Sequence, residues 1–387
     1  MRALSAALIA AAIVAGPALT PATAANAGEP RRERCAAVAA GTPLHGAVDG
    51  LPDAEASGAL LLLHDAQGCR QGTAGIADVH SGRTVPIDGR FRIGSMTKTF
   101  TAVVALQLAA EHRLDLDQTV QHYLPGLLPV GTAPVTVRQV LTYTSGINHV
   151  EVPNKQTDWF LAHRYDRWAK GSQIDTAKPL AFTPGTKQRY GNVDYIVAGL
   201  LIEKVTGRTW ESQIQRRIVD RLGLRGTTAP GRDVEVRGPH AHGYEATAAG
   251  WVDVTRADMS LQWSAASVIS TAPDLDRFMV ALFSGRLVPQ PQLEEMFTVP
   301  AGVKLFDGND DPGDDRDAVY SAGLTKLPVG PLTLWGKSGD RPGYNNGMAA
   351  TRDLSSRLVF SVNTLHMGGS EQPVRSQRII AAALLGL

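Results

Sequence analysis

The sequence predicts an α/β (α+β) protein: one antiparallel sheet flanked by helices, built from both ends of the chain, with a mostly helical insertion between them. Three observations carry this. Strand-like apolar runs occur early, around residues 58–93, and again late, around 318–362. Helix-period patterns with start and stop signals fill the middle, from Thr136 to about Thr271. A further apolar-faced helix is predicted at Val374–Leu385.

Taken in order, Met1-Arg2, an apolar run to Gly16 and small residues at Ala22–Ala27 describe a secretory signal peptide over residues 1–27. Cleavage is expected after Ala27, with Ala24 as the alternative. The run is short for a membrane span, and no later stretch is apolar enough to be one. A secreted protein is therefore expected, with residues 28–387 taken as one domain. Its α/β part would cover about 35–115 and 272–387, and its helical part about 116–271. The formal charge is +1, with no basic run of five or more, so neither nucleic acid nor an anionic membrane is an expected partner. No cofactor and no metal are expected, and the chain is expected to be a monomer.

Only two cysteines occur, Cys35 and Cys69. In an exported chain they are expected to form one disulfide. Its loop of about 34 residues sets a chain-entropy ceiling of roughly 3–4 kcal/mol. A two-cysteine metal site is disfavoured, because no histidine pair is nearby in the sequence.

Gly58–Ala66 reads as a buried strand bounded by turn residues, and residues 72–79 and 90–93 as two more. A helix follows at once and is expected to end near Glu111. Pro125, Pro129 and Pro134 then break the chain. Helices are expected at Thr136–Gly146, Tyr195–Val205, Trp210–Leu222 and Asp274–Phe283. Late strands are expected at Leu332–Trp335, Gly347–Thr351 and Leu358–Val362.

Three clusters carry chemistry. The first is Ser95-Met-Thr-Lys98 at the start of the early helix. Residues i and i+3 share a helix face, so the serine hydroxyl and the lysine amine would lie side by side. Serine needs a neighbouring base to become a nucleophile, and lysine is that base only if burial or nearby cations lower its pKa. Alone the signal is weak: about one such spacing is expected by chance in a chain this long. The second cluster is Tyr190-Gly-Asn192, in a loop after the Pro184-Gly185 turn. A phenol can relay a proton, and an amide can hold both a lysine amine and a substrate carbonyl. The third is Lys337-Ser-Gly339, in a strand-like run. There Gly339 would let a ligand approach, and the Asp340 N–H could join the Ser95 N–H as an oxyanion hole.

In this order the clusters resemble those of the serine penicillin-recognising enzymes, which include D-alanyl-D-alanine carboxypeptidases, class C β-lactamases and related esterases. The likeness extends through Phe91–Lys98, Thr136–Ile147, Phe182–Gly185, His242-Gly-Tyr244 and Ser264–Asp276, and so covers nearly the whole mature chain. It is closest to the soluble D-alanyl-D-alanine carboxypeptidases secreted by actinomycetes. The resemblance implies a β-lactamase/transpeptidase-like fold and an acyl-enzyme on Ser95. It implies Lys98 as base, Tyr190 as proton relay, and Asn192 as the group orienting Lys98 and the substrate amide. Lys337 would keep the site electropositive, and Ser338 would bind the substrate carboxylate. The implied substrate is a small peptide ending in D-Ala-D-Ala, with β-lactams as further ligands. There are three departures. Gly191 stands where Ser or Ala is usual, and Lys337 where the nearest carboxypeptidases carry His. Gly323-Leu-Thr-Lys-Leu327 lacks the arginine that holds a terminal carboxylate, leaving Lys326 or Arg341 as candidates.

Other readings compete. An esterase or class C-like β-lactamase would use the same residues, and a silent penicillin- or peptide-binding protein need not keep all of them. A metal enzyme would rest on His240-Ala-His242 or on the acidic run Asp307–Asp317, which lacks calcium-loop order. A Ser-His-Asp hydrolase of the common kind is disfavoured by the absence of Gly-x-Ser-x-Gly.

Overall fold

The computed structural model describes residues 35–306 and 316–386. The signal-like segment and residues 307–315 of the acidic run lie outside the described residues. Seven strands form the main sheet: β1 (Ala36–Ala37), β2 (Ala56–Asp65), β3 (Gly68–Gly75), β4 (Thr325–Val329), β5 (Leu332–Arg341), β6 (Tyr344–Thr351) and β7 (Arg357–Thr364). Their spatial order is β1-β3-β2-β7-β6-β5-β4, antiparallel throughout except for the β1–β3 pair. Early and late segments thus meet at the β2–β7 pair, which makes one sheet from both ends of the chain.

The run at β2 is apolar without alternation because both of its faces are covered. Leu60 and Leu62 pack into the core that holds Phe100 and Phe278. Leu61 and Leu63 pack on the opposite face with Phe360 and Ile379. Helix α1 (Thr97–Ala110) lies inside the larger core and is buried around its whole circumference from Thr97 to Leu108, as expected for a helix that is apolar on every side. Its buried hydroxyls are satisfied by other segments. Thr99 Oγ1 donates to Gly323 O at 2.7 Å, Thr101 Oγ1 donates to Ser264 O at 2.7 Å, and Thr97 Oγ1 accepts from Val268 N at 3.0 Å.

Helix α2 (Val137–Leu141) opens on a capping box in which Thr136 and Gln139 satisfy each other's backbone. It is much shorter than the sequence suggests. Tyr143 takes φ 60° and Gly146 φ 75°, and the backbone of this turn bonds elsewhere. Tyr143 O accepts from Arg189 N, Thr144 O from Gly185 N, and Gly146 O from Ala181 N. Helix α3 (Val193–Thr206) ends on left-handed Gly207. The helical run 210–222 contains a π-helical turn at Gln215–Val219. Helix α4 (Ala272–Phe283) stacks Phe278 on Phe100 with ring centroids 4.0 Å apart. Helix α5 (Glu371–Leu384) covers the far face of the sheet through Ile379 and Ala382.

Two further departures from the sequence reading concern strands. Arg90–Arg92 pairs with Ile269–Thr271 rather than joining the main sheet, since the chain turns at once into α1. The helical insertion also carries a hairpin, Tyr244–Thr247 with Gly250–Asp253. Cys35 and Cys69 form a disulfide in the structure, with Cα atoms 4.6 Å apart.

Helix α3 approaches the short helix Trp263–Ala266 at Gly199. A Cβ there would collide with Ser264 Oγ and lie 2.6 Å from Ser264 Cβ, and Ser264 Oγ is itself tied to Tyr195 O. Gly199→Ala is therefore expected to cost about 1–3 kcal/mol by overpacking. A lowered midpoint in urea unfolding checks this, and an unchanged midpoint would show that the contact is soft.

Candidate active site

Ser95 sits in the 3-10 turn Gly94–Met96, which runs straight into α1. One turn on, Lys98 is 0% exposed. Its Nζ donates to Ser95 Oγ at 3.0 Å, to Asn192 Oδ1 at 2.7 Å and to Ala265 O at 3.1 Å. Burial pushes its pKa down to about 8, and the positive charge of Lys337 pushes the same way. An amine so placed is partly neutral near physiological pH and can accept the Ser95 proton.

Asn192 is the residue at which α3 begins, and Tyr190 lies two residues before it. The Tyr190 ring sits between two ammonium groups: Lys98 Nζ is 5.1 Å and Lys337 Nζ 4.6 Å from its centroid. Its hydroxyl is buried and has no hydrogen-bond partner among the described residues. Tyr143 and Tyr320 pack against it, with centroids 5.0 and 5.1 Å away. At Gly191 a Cβ would meet nothing nearer than Val193 Cγ1 at 4.0 Å. The position therefore has room for the Ser or Ala usual there, and the glycine changes little.

The third cluster lies on β5 where that strand loses one neighbour. Among the described residues β4 pairs with β5 only as far as Gly336, so Lys337–Arg341 pair with β6 alone. Alternation then turns Lys337 inward at 4% exposure and leaves Ser338 exposed. Burial lowers the Lys337 pKa to about 8. The backbone of Gly339 and Asp340 lies directly against the Ser95 turn. A Cβ on Gly339 would collide with Ile93 O and reach 2.9 Å from Ser95 N, and one on Gly94 would reach 2.7 Å from Asp340 N. Only glycine allows this approach.

The eight residues singled out in the sequence therefore converge on one locus, around the Ser95 turn and the free part of β5. Two others do not serve as imagined. Arg341 is buried and donates to Gln262 Oε1, so it does not face a substrate. Lys326 is exposed on β4 opposite Trp335. Of the metal alternatives, His242 Nδ1 bonds Asp253 Oδ2 at 2.6 Å and His240 Nδ1 bonds Gly238 O at 2.7 Å, each a local contact.

Sequence reading missed Asp194 and Ser145. Asp194 lies two residues past Asn192 and is buried. It accepts from Ser145 Oγ at 2.5 Å, and that oxygen in turn accepts from Ile147 N at 3.0 Å. The pair pins the turn that carries Tyr143 to the first turn of α3. The available signal was a carboxylate in the apolar first part of the helix, residues 193–202.

A lysine–serine pair on the first turns of a central helix, set against a free sheet edge, defines a β-lactamase/transpeptidase-like protein. A profile of the Beta-lactamase family matches residues 17–383, and the chain belongs to that family. Among solved structures it is similar to a D-stereospecific amidohydrolase from Streptomyces sp., at 33% identity and a TM-score of 0.76, over 89% of this chain and 98% of that one. Among curated proteins it is similar to Esterase EstB of Burkholderia gladioli, 30% identical over 39% of this chain and 41% of the relative. A Beta-lactamase of Providencia stuartii is 29% identical over 37% of this chain and 35% of the relative. Both curated matches span less than half of the relative's length.

Burial raises the Asp194 pKa to about 7 from an ordinary 3.8. Between those values the folded chain keeps a proton that the unfolded chain has lost. Stability attributable to this group therefore falls as pH rises through the window. Asp194→Asn is expected to exceed wild type in stability by about 2–4 kcal/mol above pH 7, with the gap closing below about pH 4. Denaturation curves at several pH values check this, and a variant that tracks wild type at every pH refutes it.

Proposed function

We propose that this protein is an exported serine hydrolase that acts through an acyl-enzyme on Ser95 and cleaves amide bonds at the carbonyl of a D-amino acid residue. D-Ala-D-Ala carboxypeptidase is the narrower form expected from the sequence, and amidase action on D-amino acid amides uses the same chemistry. The observation that carries the reading is the buried Lys98 amine 3.0 Å from Ser95 Oγ. Similarity to a D-stereospecific amidohydrolase along nearly the whole of that chain supports the D-configured substrate. The inward commitment of Arg341 to Gln262 supports a pocket that does not require a terminal carboxylate. Export rests on the signal-like residues 1–27, and an oxidising compartment suits the Cys35–Cys69 bond.

In this reaction Ser95 Oγ attacks the substrate carbonyl and its proton passes to Lys98 Nζ. The N–H groups of Ser95 and Asp340 hold the oxyanion. The C–N bond breaks as the Tyr190 hydroxyl protonates the leaving amine, and Lys98 returns a proton to Tyr190. Water then attacks the ester, giving up its proton through the same pair. The carboxylic acid leaves and Ser95 regains its hydrogen. Asn192 holds the Lys98 amine and the substrate amide. Lys337 keeps the cleft electropositive, and exposed Ser338 with Gly339 lines the edge on which substrate lies.

Incubation with a fluorescent penicillin should add one label to the mature protein at Ser95, and Ser95→Ala should add none. With D- and L-phenylalanine amides, a D-Ala-D-Ala peptide, a chromogenic cephalosporin and a short-chain ester, turnover is expected for the D-amide or the D,D-peptide and not for the L-amide. Fast cephalosporin or ester hydrolysis alone would assign a lactamase or esterase instead. No adduct and no turnover would sink the mechanism.

The acylation rate should rise from about pH 6 to about 8 as Lys98 loses its proton, then fall as Lys337 loses its charge. A rate flat across that range would exclude Lys98 as the base. Lys98→Ala should lower acylation by at least about a hundredfold, measured as adduct formation against time.

A further inference from the structure

Four side chains outside the cleft meet at one end of the sheet. Cys69 on β3 lies directly opposite His64 on β2, and His64 lies opposite Arg357 on β7. Cys35 immediately precedes β1, whose Ala36 is in register with Arg70. The row therefore crosses four neighbouring strands at one level. Helix α4 passes over it and supplies Asp276. His64 Nε2 is 3.3 Å from Cys69 Sγ and 3.5 Å from Asp276 Oδ2. The ligand atoms of Cys35, His64 and Cys69 all lie within 4.8 Å of one another. The other Asp276 oxygen, Oδ1, accepts from Arg357 Nε at 2.7 Å. The sequence placed no histidine pair near the cysteines, but strand register brings one histidine and a carboxylate to them.

His64 Nε2 stands from Cys69 Sγ and from Asp276 Oδ2 at separations that suit a tetrahedral zinc shell, and opening the disulfide would let the two sulfurs part to theirs. With Zn–S near 2.3 Å and Zn–N and Zn–O near 2.0–2.2 Å, neighbouring ligand atoms stand about 3.3–3.8 Å apart. We infer that, once the Cys35–Cys69 bond is reduced, Cys35, Cys69, His64 and Asp276 bind one Zn²⁺. A dithiol supplies two electrons and two protons to the cystine and is itself oxidised to its disulfide. The two thiols then lose their protons to solvent as the metal binds. Two thiolates and one carboxylate against Zn²⁺ leave one negative charge, which Arg357 faces. Two sulfurs and an imidazole favour zinc over calcium or magnesium, and Arg357 fixes the carboxylate from outside the shell. The disulfide and the metal exclude each other, because each uses the same two sulfurs. Both clamp β1 to β3, so the reduced chain would keep its N-terminal strand in place through zinc.

The test uses the full chain, reduced with dithiothreitol under nitrogen, freed of reductant and checked for two thiols with Ellman's reagent. It is then mixed with Zn²⁺ and passed through a desalting column. One zinc per reduced chain and none on the oxidised chain is expected by elemental analysis. With Co²⁺ in place of zinc, a thiolate-to-cobalt charge-transfer band is expected. His64→Ala and Asp276→Asn should each bind at least about tenfold more weakly. His64→Gln serves if the alanine variant does not fold by circular dichroism. No retained zinc on the reduced chain would overturn the inference. So would binding that His64 and Asp276 substitutions leave unchanged, or equal binding in urea.

Discussion

Lys98 carries a charge that folding has removed from water, and the rest of the site is arranged around that fact. An ammonium with no exposure must find acceptors inside the protein, and its three come from different stretches of chain: Ser95, Asn192 and Ala265. Meeting that need joins α1 to the entrance of α3 and to the Trp263–Ala266 turn. It holds the helical insertion on the sheet-bearing part. The same burial lowers the pKa, so the structural demand and the chemical one have a single cause.

The sheet contributes an edge. β4 stops pairing with β5 at Gly336, and among the described residues the next five have a strand partner on one side only. Alternation sends Lys337 toward Tyr190 and Ser338 outward, while Gly339 brings the backbone against the Ser95 turn. The Lys337 cation beside Lys98 in a low-dielectric place further disfavours charge on Lys98, while burial alone lowers the Lys337 pKa. Tyr190 lies between them, held by Tyr143 and Tyr320, and the Asp194–Ser145 contact fixes the turn from which Tyr143 projects.

Much of this was legible in the sequence because it is local. Ser95 and Lys98 are one helical turn apart, and a helix pattern opens at Thr136. β2 advertises burial on both faces by an unbroken apolar run. The length of α2 was not legible, because it ends where Tyr143 adopts a left-handed backbone and bonds to a loop more than forty residues away (Arg189 N to Tyr143 O). Strand order could not be read either, since pairing β2 with β7 depends on how two distant segments cover each other's faces. Arg341 looked free to meet a substrate, but alternation along β5 turns it inward to Gln262.

The sequence by itself determined the residue types, their order along the chain, and the serine–lysine spacing that a helix converts into a contact. It also determined which segments are apolar enough to be interior. Tertiary structure alone decided that Asn192 and Ala265 would share the lysine with Ser95, that β5 would present an open edge beside it, and that His64 would face the cysteine pair. Those outcomes depend on register and burial between segments far apart in sequence, and neither spacing nor composition encodes which remote carbonyl or ring will be the neighbour.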